Sequence, residues 1–505
     1  MVRTSLTALA AALCVSTAAL ADTPQGAADR LGEFLAAIPD LGPGYAAVVV
    51  TADDVLLNYV SGVERASTGV PLTADTPLYI ASQTKAYMGL VAAVLDEQGV
   101  LSLDSTIADH WPDLALPGDL DPSAWTMRDL LSHQVPLDVD AITFLEAYVT
   151  RVDPADYPAL ISAMGEVREE GFEYANIGYN IYGAILETVT GKTWQDWLDE
   201  VIIEPMGWEH TSARTSDFGL DGQSWNHILA ESGEGWQEVR PKTDAIMQSA
   251  GGMVTSVNDM AGWLQMQLRG EGPGLISASA IAEAQEGHVE TGMEDRRNAY
   301  EQVCSHYSLG WNICEKNGHN LYIHGGGYTG AATMMAFSPD LGIGIAAFSN
   351  SNAMTGWATS RTVDMYLQFL TDDPNAERMR ELRINHYPER VDRLRQIFAS
   401  RAEEAQADEQ WGGWTWSPSA EELEAYSGRF VNENSAYFTV NTYVEEGVLR
   451  GWVGDYPVYL TPASENLFAA RNVHYDRPDP VRFIREDDGT VSGFVWDGQT
   501  YNRVD

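Results

Sequence analysis

The sequence predicts an α+β fold: an antiparallel sheet flanked by helices, followed by a small C-terminal antiparallel β-barrel. Three observations carry that reading. Two β-branched runs near the N-terminus, Ala46 to Thr51 and Val55 to Val60, are joined by the turn Ala52-Asp53-Asp54. Four more segments of strand character, Tyr307 to Ile313, Asn320 to His324, Ala331 to Phe337 and Gly342 to Ser349, follow a long stretch in which helical periodicity is common. Strands at both ends of a helical region imply one sheet, closed by the return of the chain and covered by helices. Short strands divided by turn residues then recur at the C-terminus, as in a barrel or sandwich.

Taken in order, the chain opens on a targeting segment. Arg3 precedes the largely apolar run Leu6 to Ala19, and Ala19-Leu20-Ala21 is a small-residue cleavage site. Residues 1–21 therefore read as a signal peptide, and the mature protein is expected in the periplasm or outside the cell. Leu13 fits poorly before a lipidated cysteine at Cys14, and the run is short for a bilayer. No later segment offers about 18 consecutive apolar residues, so no membrane span is expected. Residues 22–371 form the main domain, which begins with an amphipathic helix from Asp29 to Ile38. Residues 372–418 are a charged helical segment ending in a linker, Asp408 to Pro418, that holds Trp411, Gly412 and Gly413. Residues 419–505 form the barrel, with strands at Tyr437 to Val440, Leu449 to Val453, Val481 to Ile484 and Val491 to Trp496.

Composition narrows the function. Of 505 residues, 45% are hydrophobic, enough for a substantial core, and 30 Lys and Arg against 73 Asp and Glu give a net charge of −43. Such a surface repels phosphate backbones, which argues against nucleic-acid binding. Cys304 and Cys314 remain after the leader, and in an oxidising compartment a disulfide is the favoured reading, with free thiols as the alternative. The histidines are scattered with no metal-binding spacing, so no metal and no cofactor are expected.

Three motifs can carry chemistry. Ser82-Gln83-Thr84-Lys85 opens a helix continued by Met88, Val91, Ala92 and Leu95, which puts the Lys85 amine on the same helical face as the Ser82 hydroxyl. From this spacing alone a plain capped helix start is the favoured reading. Tyr174-Ala175-Asn176 precedes a second helix that Gly191 can close. A phenol near an ammonium can act as a base, and the Asn176 amide can hold a substrate backbone, though a tyrosine in that place is commonly packing. His324-Gly325-Gly326-Gly327 is followed by Ala331 to Met335, a strand and not a helix, which rules out a dinucleotide loop. A glycine-lined strand edge or a glycine turn remains.

In this order and spacing, Ser-x-x-Lys, Tyr-x-Asn and a basic residue with glycines resemble the serine β-lactamase and penicillin-binding-protein superfamily. The likeness is greatest to the class C β-lactamases with their D-aminopeptidase and esterase relatives. Asp75 to Ala81, Leu130-Leu131-Ser132-His133, Glu204 to Trp208 and Ser249 to Met253 fit as well, although Gln134-Val135-Pro136 departs from the usual pattern. The tail resembles the lipocalin-like barrel appended to many such hydrolases. The resemblance implies that Ser82 is the nucleophile and that Lys85 and Tyr174 share the proton transfers. It also implies an oxyanion hole from the N–H groups of Ser82 and Gly327, and substrate contacts from Asn176, His324 and Gly326. The implied function is an exported serine hydrolase of small amides, esters or peptides, D-aminopeptidase- or esterase-like. A β-lactamase or DD-peptidase, or a penicillin-binding sensor that acylates without turnover, are the alternatives. Lysine is usual in β-lactamases and DD-peptidases where this chain has His324, so weak β-lactam hydrolysis is expected.

Overall fold

The computed structural model describes residues 23–39, 41–230, 235–292, 302–351, 355–433, 435–454, 456–472 and 477–504. The expected leader, residues 1–21, lies outside them. Helix α1 spans Pro24–Ala37 and so begins before Asp29. Thr23 caps it by accepting the Gly26 N–H, and Pro24 supplies a preset φ in the first turn.

The main sheet is antiparallel, built from β1 (Gly44–Val50), β2 (Val55–Gly62), β3 (Val289–Glu290), β4 (Val303–Tyr307), β5 (Asn312–Lys316), β6 (His319–Tyr328), β7 (Ala331–Ser338) and β8 (Ile343–Ser349). Its spatial order is β2-β1-β8-β7-β6-β5-β4-β3, so the N-terminal hairpin closes against the last strand of the domain. Five further helices matter here: α2 (Thr84–Glu97), α3 (Ile177–Thr190), α4 (Val257–Arg269), α5 (Thr355–Leu370) and α6 (Ala376–Ala407). Alternate residues of the central strands serve two separate cores. Ala46, Val48, Val50, Met335 and Phe348 face the layer holding α2 and α4. Tyr45, Ala47, Val49, Met334 and Ala347 face α1 and α5. Burial on both faces is why these strands read as continuous apolar runs and not as alternation. No helix among the described residues is long and apolar enough to cross a membrane.

The segment Tyr307 to Ile313 is not one strand. It is the end of β4, a turn and the start of β5, with the Ser308 N–H donating to Trp311 O at 2.9 Å. Gly310 sits in that turn at φ +103°, where a Cβ would fall 2.5 Å from Ala86 N and Lys85 O. Only glycine lets the turn press on the start of α2. Cys304 and Cys314 face each other across β4 and β5 and form a disulfide.

After α6 the chain enters a closed eight-stranded barrel: β9 (Gly428–Asn432), β10 (Thr439–Glu445), β11 (Val448–Val453), β12 (Tyr456–Ser464), β13 (Leu467–Arg471), β14 (Asp479–Arg485), β15 (Val491–Trp496) and β16 (Gln499–Arg503). Phe430, Phe468, Phe483 and Phe494 fill its interior in edge-to-face and tilted contacts. The segment Asp408 to Pro418 is not a free linker. Trp411 is 0% exposed and packs with Ala463, Leu467 and Ala469 of the barrel.

Candidate active site

The site is built around a strained turn. Ala81, a non-glycine residue, stands at φ +47°, and Ala81–Gln83 form one 3-10 turn before α2. Such strain persists only where neighbours overdetermine the backbone. Here the Ile80 N–H donates to Met253 O at 3.2 Å, and the Thr84 hydroxyl donates to Ala81 O at 2.7 Å. Thr84 Oγ1 in turn accepts the Met253 N–H at 3.2 Å, while the Thr333 hydroxyl of β7 donates to Ile80 O at 3.2 Å. The result presents Ser82, half-buried, at the entry of a helix whose next turn is wholly buried.

Lys85 is 0% exposed. Its amine donates to Asn176 Oδ1 at 2.7 Å and to Ala250 O at 2.7 Å. Burial without a carboxylate partner pushes its pKa well below the usual 10.5. Both acceptors are themselves fixed. Asn176 precedes α3, which Gly191 closes in the left-handed conformation, and the Ala250 N–H is held at 3.2 Å by Asn180 Oδ1 one turn further along α3.

Tyr174 stands at the rim, 42% exposed, with the Lys85 nitrogen 4.9 Å from the centre of its ring. The His133 ring lies 4.5 Å beneath it. His133 Nδ1 accepts the Ala175 N–H at 3.2 Å, so the imidazole anchors the Tyr-x-Asn segment. Burial, and then the Lys85 amine, hold His133 well below the ordinary histidine value.

Strand β6 supplies the opposite wall. It runs straight through the glycines, which settles the choice between strand edge and turn. Its pairing with β5 ends at Asn312↔Ile323, whereas its pairing with β7 continues to Tyr328↔Ala331. The stretch His324 to Tyr328 therefore has one edge that no strand among the described residues covers, where an extended substrate can add. Gly326 is required by close approach: a Cβ there would lie 2.1 Å from Ile80 O and 2.5 Å from Thr333 Oγ1. Gly327 is exposed, with nothing within 4 Å of where its Cβ would be.

His324 is 1% exposed. Its Nδ1–H donates to Gly325 O at 2.7 Å, and its Nε2 accepts from the Tyr307 hydroxyl at 3.1 Å. Burial, and then the nearby Lys85, push its pKa down to about 3. The imidazole is thus neutral at physiological pH and already committed to two partners.

The structure brings Lys85, Tyr174, Asn176 and His324 to one locus around the turn that carries Ser82, with Gly326 against that turn and Gly327 beside it. Sequence reasoning gave no role to Ala250, Asn180, His133 or Tyr307. The runs around Ala250 and His133 were visible as motif matches, and Asn180 as the residue four after Asn176; nothing marked Tyr307. Among the described residues, no three His, Cys, Asp or Glu side chains converge as metal ligands.

A helix-borne hydroxyl and a buried amine, set against the open edge of an antiparallel sheet, define a serine β-lactamase-like fold. The chain belongs to the Beta-lactamase family, whose sequence model matches residues 37–365. It is similar to Protein flp of Staphylococcus aureus, 23% identical over 315 residues that make up 62% of this chain and 60% of that one. Among solved structures it is similar to the octameric penicillin-binding protein homologue from Pyrococcus abyssi, with TM-score 0.58 and 18% identity over 94% of this chain and 99% of that one. The D-amino acid amidase from Ochrobactrum anthropi SV3 superimposes with TM-score 0.55 and 20% identity over 70% of this chain and 99% of that one. At these identities the structural likeness is one of fold.

Proposed function

We propose that the protein is an exported serine hydrolase that forms an acyl-enzyme on Ser82 and hydrolyses small neutral or cationic amides or esters. The observation that carries this reading is the Lys85 amine. A neutral amine has two N–H donors, and both are engaged, by Asn176 Oδ1 and Ala250 O. Its lone pair is left to take a proton, and desolvation favours the neutral form that can accept it.

In acylation, Ser82 Oγ bonds to the substrate carbonyl carbon as its proton passes to Lys85. The carbonyl oxygen becomes an oxyanion held by the N–H groups of Ser82 and Gly327, where losing one donor costs about 10²–10³ in rate. Tyr174 hands a proton to the departing amine or alcohol and takes up the one that Lys85 received, and the tetrahedral intermediate collapses to the ester on Ser82. Water then attacks that ester, its proton goes to the same pair of bases, and Ser82 Oγ leaves with a proton restored. Bases positioned in this way contribute about 10²–10⁴. Export is supported by the leader sequence and by the Cys304–Cys314 bond.

The β-lactamase or DD-peptidase reading is weaker because a neutral, doubly engaged His324 offers no cation to a substrate carboxylate. The net charge of −43 works in the same direction. The test is covalent labelling by a fluorophosphonate, followed by turnover of nitrophenyl esters, D-aminoacyl amides and a chromogenic cephalosporin. Ser82→Ala should lose the label while remaining folded. Sustained nitrophenol release supports a hydrolase, whereas a single stoichiometric burst supports a sensor. Substantial turnover by Ser82→Ala would refute the nucleophile, and cephalosporin hydrolysis well above ester and amide turnover would refute the substrate class.

A further inference from the structure

The barrel is linked to the surroundings of the Ser82 turn through a row of four tyrosines. Tyr79 lies three residues before Ser82, and its ring meets that of Tyr328 edge-on at 5.3 Å. Tyr328 directly follows Gly327 and is stacked on Tyr148, with centroids 5.6 Å apart and planes at 19°. Tyr148 in turn meets Tyr456, the first residue of β12 in the barrel, at 5.1 Å, and Tyr456 also packs edge-on against Phe144 at 5.7 Å.

This row is held in place. The Tyr328 hydroxyl donates to Ala147 O at 2.9 Å. Leu145–Val149 form a single π-helical turn, in which Glu146 is buried while Tyr148 lies against the neighbouring rings. Gly454, at φ +58°, lies so close to that turn that a Cβ would fall 2.2 Å from Val149 O. A second point of attachment is Tyr437, whose hydroxyl accepts the Asp153 N–H at 3.1 Å and donates to Asp156 Oδ2 at 2.5 Å. The barrel is thereby docked on the segment that packs against Tyr328.

Direction along β6 links this row to substrate. Residues 326 and 328 share one face of the strand, and at Gly326 that face meets Ile80 O, beside the nucleophile turn. An acyl group on Ser82, with its oxygen between the N–H groups of Ser82 and Gly327, can extend along the uncovered β6 edge. Beyond Gly327 the first side chain it meets is Tyr328, then Tyr148 and Tyr456. We infer that Tyr456 of the barrel, acting with Tyr148 and Tyr328, is a specificity-determining residue that selects acyl groups bearing an aromatic or bulky apolar side chain. The inference rests on the acyl-enzyme reading above. Aromatic faces favour such groups by stacking and by the area they cover.

The experiment compares phenylacetyl and acetyl nitrophenyl esters on the full-length protein. Tyr456→Ala should lower kcat/KM for the phenylacetyl ester about tenfold while changing the acetyl ester by less than about twofold. Tyr456→Phe should retain the wild-type ratio. Tyr148→Leu, within the catalytic domain, should repeat the loss and keeps the test valid if the barrel variant misfolds. A small fluorophosphonate, applied in parallel, reports on Ser82 itself. Absence of labelling in the wild type would remove the underlying acyl-enzyme reading. Labelled Ser82 with an acyl preference unmoved by Tyr456→Ala and Tyr148→Leu would overturn this inference alone.

Discussion

Replacing Gly326 by alanine tests whether backbone approach, and not merely the presence of glycine, builds the site. The added Cβ would stand 2.1 Å from Ile80 O and 2.5 Å from Thr333 Oγ1, while ordinary contact begins at 3.4 Å. Strand β6 and the turn before Ser82 must therefore separate by more than about 1 Å, since Ile80 O is backbone and cannot rotate away. Thr333 cannot yield freely either, because its hydroxyl donates to that same Ile80 oxygen. Overpacking of this size costs about 1–3 kcal/mol of stability. The kinetic cost is of similar size, because a displacement of about 1 Å between reacting groups lowers rates about 10²-fold. The assay is the second-order rate of fluorophosphonate labelling of Ser82, with thermal unfolding measured on the same sample. Gly327→Ala is the control: its Cβ would meet nothing within 4 Å, so labelling should stay within a few-fold of wild type. Wild-type labelling by Gly326→Ala, or equal losses in both variants, would refute the argument from close approach.

Lys85 predicts a pH dependence of definite sign. Its amine loses its proton at a pH well below 10.5, so kcat/KM should rise with pH along one limb that Lys85→Met abolishes. Between the folded and unfolded values the unfolded chain binds the extra proton, so stability should also rise with pH in that window; a fall would contradict a buried neutral amine. Mass spectrometry of the unreduced protein should find Cys304 linked to Cys314, and Cys304→Ser should cost about 2–3 kcal/mol in denaturant unfolding, the loop-closure value for so short a loop. Trp411→Ala should destabilise the barrel by about 3–5 kcal/mol, because the indole is fully enclosed. A change below about 1 kcal/mol would return the segment Asp408 to Pro418 to the status of a loose linker.

What was legible in the sequence was whatever depends on local spacing. Ser82 and Lys85 lie within one helical turn, Tyr174 and Asn176 within one loop, and the apolar runs of β1, β7 and β8 mark a sheet covered on both faces. What escaped depends on contacts between distant parts of the chain. The Lys85 amine needs Ala250, the Ala250 N–H needs Asn180, and Tyr174 rests on His133; no spacing within one motif announces such pairs. The turn at Gly310 was hidden because its flanks are apolar enough to read as one strand, and the demand for glycine comes from α2, more than 200 positions earlier in the chain. His324 shows the difference most sharply. From sequence, an imidazole is a weak anion partner because its unperturbed pKa of about 6.5 leaves it mostly neutral at pH 7. In the fold it is neutral for a stronger reason. Desolvation and the neighbouring amine take it down to about 3, while Tyr307 and Gly325 occupy both ring nitrogens. The cause visible in the sequence is thus smaller than the one the fold provides. The larger cause has a consequence that the smaller lacks: mild acidification alone should not turn His324 into a carboxylate-binding cation.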